Sequence, residues 1–307
     1  MSKPYIAAIV AIFLLSACKK DDNKSHNAEK VLSAETLMRQ ENTDVVENAS
    51  VSHYTDKRME IPRSNKSAKE QIINHLGYTT SYNSTLRIPN WVAYELTPYE
   101  ARAHGKRSGE FQKDPLAVGT SASPSDYSRS GYGRGHMAPA GDMKWSSKAM
   151  HETFYLSNIC PQDNSLNAGL WNDLEMGLRQ MSRQGKTLYI VCGPLMSDNP
   201  RRIGRNKVAV PSSFFKVVLR REGNGYEAIG YIFPNTRSSG SVNDYACTVD
   251  EVEAKSGMDF FPLLPDDVEN SIEATRRVSQ WQWETYGSKD SFQQRSSRKK
   301  SRAETRK

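Results

Sequence analysis

The sequence predicts an α+β fold. Two stretches rich in β-branched and aromatic residues, Phe214–Arg220 and Tyr226–Phe233, are joined by Arg221-Glu222-Gly223-Asn224-Gly225, which is a hairpin signal and implies antiparallel pairing. Further strand-like stretches occur at Ile88–Glu95, Thr153–Ile159 and Thr187–Cys192. Helical patterns are few, and this mixture of antiparallel strands and few helices suggests the α+β class.

Each helix has its own signature. After Asn167, the residues Leu170, Leu174, Leu178 and Met181 recur at i, i+4, i+8 and i+11, which puts them on one buried stripe, and Gly185 stops the run. Trp171, Glu175 and Arg179 form a second stripe one residue further round, with Asn167 one turn before it. Thr248 and Glu251 form a capping box for a helix that runs through Ala254 and ends at Gly257. A last helix is expected from about Pro265 to Trp281.

The ends differ in character from this body. Residues 1–17 carry Lys3, an apolar run from Tyr5 to Leu15, and Leu15-Ser16-Ala17-Cys18, and read as a cleavable secretory signal. The run is too short to span a bilayer. Small residues before Cys18 resemble the lipobox of bacterial lipoproteins. That resemblance implies cleavage before Cys18, its acylation, and durable attachment of the protein to a membrane through it. Lys19 follows the cysteine, and in such signals the absence of Asp there points to the outer membrane, so the expected location is the bacterial cell envelope, periplasmic or surface facing. Residues 18–65 are polar and read as a lipid-anchored linker, 66–287 as the folded domain, and 288–307 as a basic disordered tail. Ser291–Lys307 hold seven basic residues and one acid, so the net charge of +7 for the whole chain mostly describes the tail. Cys160, Cys192 and Cys247 lack CxxC spacing, which argues against a zinc site and leaves disulfide pairing open.

The residues that carry chemistry begin at Gly131-Tyr132-Gly133-Arg134-Gly135-His136-Met137-Ala138-Pro139-Ala140. Glycines at positions 131, 133 and 135, leading up to the histidine, leave an unencumbered backbone where a polyanion can approach. Downstream come Leu156-Ser157-Asn158-Ile159-Cys160-Pro161-Gln162, then Leu166-Asn167-Ala168-Gly169-Leu170-Trp171, then Glu175 and Arg179. Together with Asn90-Trp91-Val92-Ala93-Tyr94, Gly193-Pro194 and Asp259-Phe260-Phe261-Pro262, this set resembles the DNA/RNA non-specific endonucleases of the ββα-metal (His-Me finger) class, which include secreted bacterial nucleases and mitochondrial endonuclease G.

The resemblance implies a central antiparallel sheet with flanking helices and a ββα-metal active site, acting on DNA and RNA with Mg²⁺, or alternatively Mn²⁺. Carried over residue by residue, His136 would be the general base, with the ordinary imidazole pKa near 6.5. Asn167 would be the sole direct protein ligand of one metal, and Glu175 would act through metal-held water. Asn158 would brace the backbone near His136, while Arg107 and Arg179 would meet phosphate oxygens. The family usually carries Asp before Arg-Gly-His, where this chain has Gly133. Two other readings stand beside this one: a catalytically silent nucleic-acid-binding lipoprotein, and a phosphodiesterase acting on a smaller phosphodiester. Oligomeric state has no signature in the sequence.

Overall fold

The computed structural model describes residues 58–64, 69–223 and 225–281. The signal segment with Cys18, most of the linker and the basic tail lie outside the described residues.

In chain order the strands are β1 (Arg63–Ser64), β2 (Gln71–Asn74), β3 (Thr79–Asn83), β4 (Ile88–Leu96), β5 (Gly133–His136), β6 (Ile159–Gln162), β7 (Leu188–Leu195), β8 (Arg202–Ile203), β9 (Val208–Ala209), β10 (Ser213–Glu222), β11 (Gly225–Pro234), β12 (Ala246–Cys247) and β13 (Met258–Asp259). The helices are α1 (Pro98–Arg102), α2 (Ser147–Glu152), α3 (Asn164–Ala168), α4 (Leu170–Arg183), α5 (Val249–Ser256) and α6 (Asp266–Glu273). Seven strands form one antiparallel sheet in the order β12-β11-β10-β7-β4-β3-β2. This is an α+β architecture with a central antiparallel sheet. The β10–β11 hairpin is closed between Glu222 and Gly225, and Gly223 in the two-residue turn has a φ of +57°, which glycine adopts without steric cost.

The sheet separates two apolar cores because successive side chains on a strand point to opposite faces. One face carries Val92, Tyr94, Ile190, Cys192, Phe214 and Val218, packed under Trp171, Leu174 and Leu178 of α4. Their alternates Trp91, Ala93, Val191, Phe215 and Val217 pack on the other face with Val249 and Val252 of α5 and with Phe260 and Phe261. Full burial of each large apolar side chain contributes roughly 1.5–3 kcal/mol, so α4 is fixed to the sheet by its inward stripe. Leu174 and Leu178 are fully buried, whereas Leu170 and Met181 sit at the margin of the core.

Three expectations are corrected. Thr153–Ile159 is not a strand: a 3₁₀ turn over Leu156–Asn158 precedes β6, because Asn158 is consumed in hydrogen bonds to nearby backbone. The helix expected from Pro265 to Trp281 stops at Glu273, and a separate 3₁₀ turn over Val278–Trp281 brings Trp281 into full burial beneath the Arg220 guanidinium. The folded part also starts before residue 66. Met59 is buried in the second core, Ile61 packs against it, and β1 pairs with β13 through Arg63↔Asp259.

Candidate active site

A ribbon of β5 and β6 carries the histidine, in the register Gly133↔Gln162 and His136↔Ile159. Gly135 is obligatory, since a Cβ there would lie 2.2 Å from Gln162 Oε1 and 2.6 Å from Gln162 Cβ. With the glycines on one side of the ribbon, Arg134 and His136 occupy the other. The His136 ring lies 5.3 Å from the Phe111 ring and meets the Phe154 ring edge-on at 5.2 Å. Its Nε2 is buried and has no hydrogen-bond partner among the described residues. Arg107, exposed, holds its guanidinium 5.3 Å from the centre of the Phe154 ring. Burial, and then the positive charge of Arg107, push the His136 imidazole down to about 3 rather than leaving it at the ordinary value. At neutral pH the ring is therefore uncharged and can accept a proton.

Asn158 fixes the chain just beyond the histidine. Fully buried, it accepts from the Ala138 N–H at 2.8 Å and donates from Nδ2 to the carbonyls of Ala138 and Thr153, each at 2.9 Å. Its own carbonyl accepts from the Met137 N–H at 3.0 Å. The Cys192 thiol of β7 donates to the Met137 carbonyl at 3.2 Å, so the ribbon is tied to the central sheet directly behind His136. Cys160, Cys192 and Cys247 are all free thiols.

Asn167 does not cap a long helix. It lies inside the short helix α3, which Asp163 caps, and Gly169 separates that helix from α4. A Cβ on Gly133 would be 3.6 Å from Asn167 Nδ2, which places the Asn167 amide beside the first residue of the histidine ribbon. Two turns further on, Glu175 is buried in α4. Burial raises its carboxyl to about 7; Lys216 opposes this, Asp142 adds to it, and Arg179 opposes it.

Arg179 is held by Asp142: its Nε donates to Asp142 Oδ1 at 2.5 Å, and Tyr94 Oη donates to Asp142 Oδ2 at 3.1 Å. The guanidinium thus has a buried carboxylate as a fixed anchor. Only its Nη groups can then serve a phosphate.

Lys216 was not foreseen, and neither were Asp142, Phe111 and Phe154. Lys216 is fully buried on β10. It pairs in register with Cys192, and its Nζ lies 3.9 Å from Glu175 Oε1 and 4.4 Å from the centre of the Trp171 ring. A single charge inside Phe214-Phe215-Lys216-Val217-Val218-Leu219 was the available signal. Through Met137, Cys192 and Lys216 a continuous series of contacts links the histidine ribbon to Glu175.

The donor set suits a hydrated hard cation. Asn167 supplies a neutral amide oxygen, and Glu175 Oε1 is a buried acceptor that no donor among the described residues satisfies.

Comparison with known proteins identifies the family. The family model described as DNA/RNA non-specific endonuclease matches residues 56–267. Mitochondrial nuclease EXOG of Danio rerio is 37% identical over an alignment of 207 residues that covers 62% of this chain and 60% of that protein. Human mitochondrial endonuclease G is 34% identical over 209 residues, covering 63% of this chain and 70% of that protein. A nuclease of Nostoc sp. is 35% identical over 209 residues, with 64% and 75% covered. The chain spans about 60% of the length of the EXOG relatives it matches. An EndoG chain from the crystal structure of an EndoG/EndoGI complex superposes with a TM-score of 0.63 at 29% identity, over 70% of this chain and 95% of that one. The family model's match over residues 56–267, more than half of the chain, makes this chain a member of the DNA/RNA non-specific endonuclease family.

Proposed function

We propose that this protein is a metal-dependent endonuclease that hydrolyses phosphodiester bonds of DNA and RNA largely without regard to sequence. The observation that carries the reading is His136: an uncharged imidazole whose buried Nε2 has no partner among the described residues, on a glycine-flanked ribbon beside an exposed arginine. Nε2 takes the proton from a water that attacks phosphorus, and the phosphate it faces raises the basicity of the ring once substrate is bound. Arg107 and the Nη groups of Arg179 meet phosphate oxygens, with Asp142 fixing the aim of Arg179. Asn158 acts at one remove by holding Met137 and Ala138 in place. Asn167 would hold Mg²⁺ (or Mn²⁺) directly, and Glu175 would hold it through water. Such an ion, when bound, stabilises the negative charge that develops at phosphorus and on the departing oxygen.

Contacts to phosphate rather than to base edges account for sequence independence. The purified protein is incubated with supercoiled plasmid and with RNA, in Mg²⁺ and in EDTA. Cleavage of both polymers in Mg²⁺ alone supports the reading. Binding without cleavage favours a nucleic-acid-binding lipoprotein, and activity only on small phosphodiesters favours the narrower phosphodiesterase.

We further propose that the mature chain is anchored in the bacterial envelope through lipidated Cys18, as the Leu15-Ser16-Ala17-Cys18 motif supports. Among the described residues no helix is long and apolar enough to cross a membrane.

A further inference from the structure

The face of the sheet opposite the histidine ribbon carries a second concentration of titratable groups. Asp250 and Glu253 lie on α5 and Glu273 on α6, and one carboxylate oxygen from each falls within 4.8 Å of the others. Asp250 is exposed, whereas Glu273 is only 5% exposed and its Oε1 is buried without a hydrogen-bond partner among the described residues. Glu269, one turn earlier on α6, also has a buried Oε1 without such a partner. Glu253 Oε1 accepts from the Phe260 N–H at 2.8 Å, which fixes that carboxylate in orientation and leaves its other oxygen available.

This arrangement is electrostatically unbalanced. Glu273 is the last residue of α6, where the helix dipole is negative and disfavours an anion. Burial raises its carboxyl, and Glu253, Glu269, Asp250 and Asp259 raise it further, to about 9. Asp259 is paired with Arg63 at 3.1 Å, but Arg63 is exposed at the edge of the group. A buried, undonated carboxylate among four others is costly unless a positive charge enters the group.

We propose that Asp250, Glu253 and Glu273 form a binding site for a hard divalent cation of the calcium type, clamping α5 to α6. Three carboxylates drawn from two helices suit Ca²⁺, which takes oxygen ligands at about 2.3–2.6 Å in flexible geometry, whereas Mg²⁺ needs a near-ideal octahedron with ligands at about 2.1 Å and is reluctant to shed its water for three carboxylates. The site is separate from the candidate active site, since Val249 and Val252 of α5 pack into the core on the far side of the sheet. Asp250 and Glu253 lie within the family match, and Glu273 lies beyond residue 267, where that match ends.

The test is thermal melting and calorimetric titration with CaCl₂ on the intact, EDTA-stripped protein without nucleic acid, beside Glu273→Gln, Asp250→Asn and Asn167→Ala. The wild type and Asn167→Ala are expected to bind Ca²⁺ saturably below about 1 mM. Their melting temperature should rise by roughly 5–10 °C at a hundredfold excess over Kd. Glu273→Gln should lose this response and, with one carboxylate removed from the group, melt higher than the wild type in EDTA. Asp250→Asn changes an exposed side chain that does not endanger folding, and should weaken Ca²⁺ binding. Equal Ca²⁺ responses in the wild type and Glu273→Gln overturn the proposal, as does a response lost only in Asn167→Ala, which would put the ion in the active site. Absence of any saturable response also overturns it and leaves the carboxylates sharing protons.

Discussion

Lys216 Nζ lies 3.9 Å from Glu175 Oε1 beneath the Trp171 ring, and neither atom has a hydrogen-bond partner among the described residues. A lysine and a glutamate are thus buried close together without a direct hydrogen bond. Lys216→Met leaves Glu175 without its counter-charge and should destabilise the fold by about 3–5 kcal/mol in denaturant unfolding. Adding Glu175→Gln to Lys216→Met should recover much of that loss while nuclease activity stays low. If the two substitutions simply add in stability, the pair is not coupled.

His136→Ala should lower the cleavage rate by about 10²- to 10⁴-fold while preserving a cooperative melt, because the proposed role of the ring is general base and its Nε2 has no hydrogen-bond partner among the described residues. Near-normal cleavage by that folded variant would remove His136 from the mechanism.

Within the candidate active site, His136 and Glu175 make opposed contributions to the pH dependence of stability. His136 titrates near 6.5 when unfolded but at about 3 when folded, so the unfolded chain binds more protons in between and stability is lost as pH falls through that window. Glu175 is raised to about 7, so between roughly 4.5 and 7 the folded state binds more protons and stability is gained as pH falls. His136→Phe removes the first contribution alone. Between pH 6.5 and 4 its melting temperature should therefore fall less steeply than that of the wild type, or rise. Parallel curves would show that the imidazole does not titrate abnormally.

Gly133 stands where the family usually has Asp, and its φ lies outside the left-handed region. A Cβ there would press on Asn164 Oδ1 at 2.6 Å, but Asn164 is exposed and can swing away. Gly133→Asp should therefore melt close to the wild type. Its carboxylate, next to Asn167 and near incoming phosphate, should slightly raise KM and leave or raise kcat. An equally stable variant with a much reduced kcat would make glycine itself a functional requirement.

Cys18→Ser should abolish incorporation of fatty-acid analogues and yield an unprocessed precursor or a released form. Undiminished labelling of that variant would overturn the lipid-anchor reading.

Much of the site was legible because its residues cluster in a short stretch. His136, Asn158, Asn167, Glu175 and Arg179 lie within about fifty positions, and glycine spacing and helical period relate them without tertiary knowledge. What the sequence left hidden comes from distant strands. Lys216 meets Glu175 only because β10 runs beneath α4, and the anchoring of Arg179 by Asp142 depends on Tyr94 in β4. The strand expected over Thr153–Ile159 failed because its β-prone residues serve a turn whose conformation Asn158 sets by hydrogen bonding to Ala138 and Thr153. Strands β2 and β3 escaped notice because Gln71–Asn74 and Thr79–Asn83 are largely polar, and the neighbouring sheet determines their pairing more than their own propensity does.

The pairing of Arg63 with Asp259 joins positions 196 apart in the chain. A ribosome delivers residue 63 long before residue 259, so β1 must wait unpaired while nearly all of the domain is made. The histidine ribbon and α4 emerge by residue 183, but the sheet surface beneath α4 is completed by Phe214 and Val218, and Lys216 is set opposite Glu175, only with β10 at residues 213–222. Nascent chains that stop short of β10 therefore carry every motif of the site and lack part of its floor. Under the proposed function, the groups that would cut nucleic acid come together only late in synthesis, once β10 has been made.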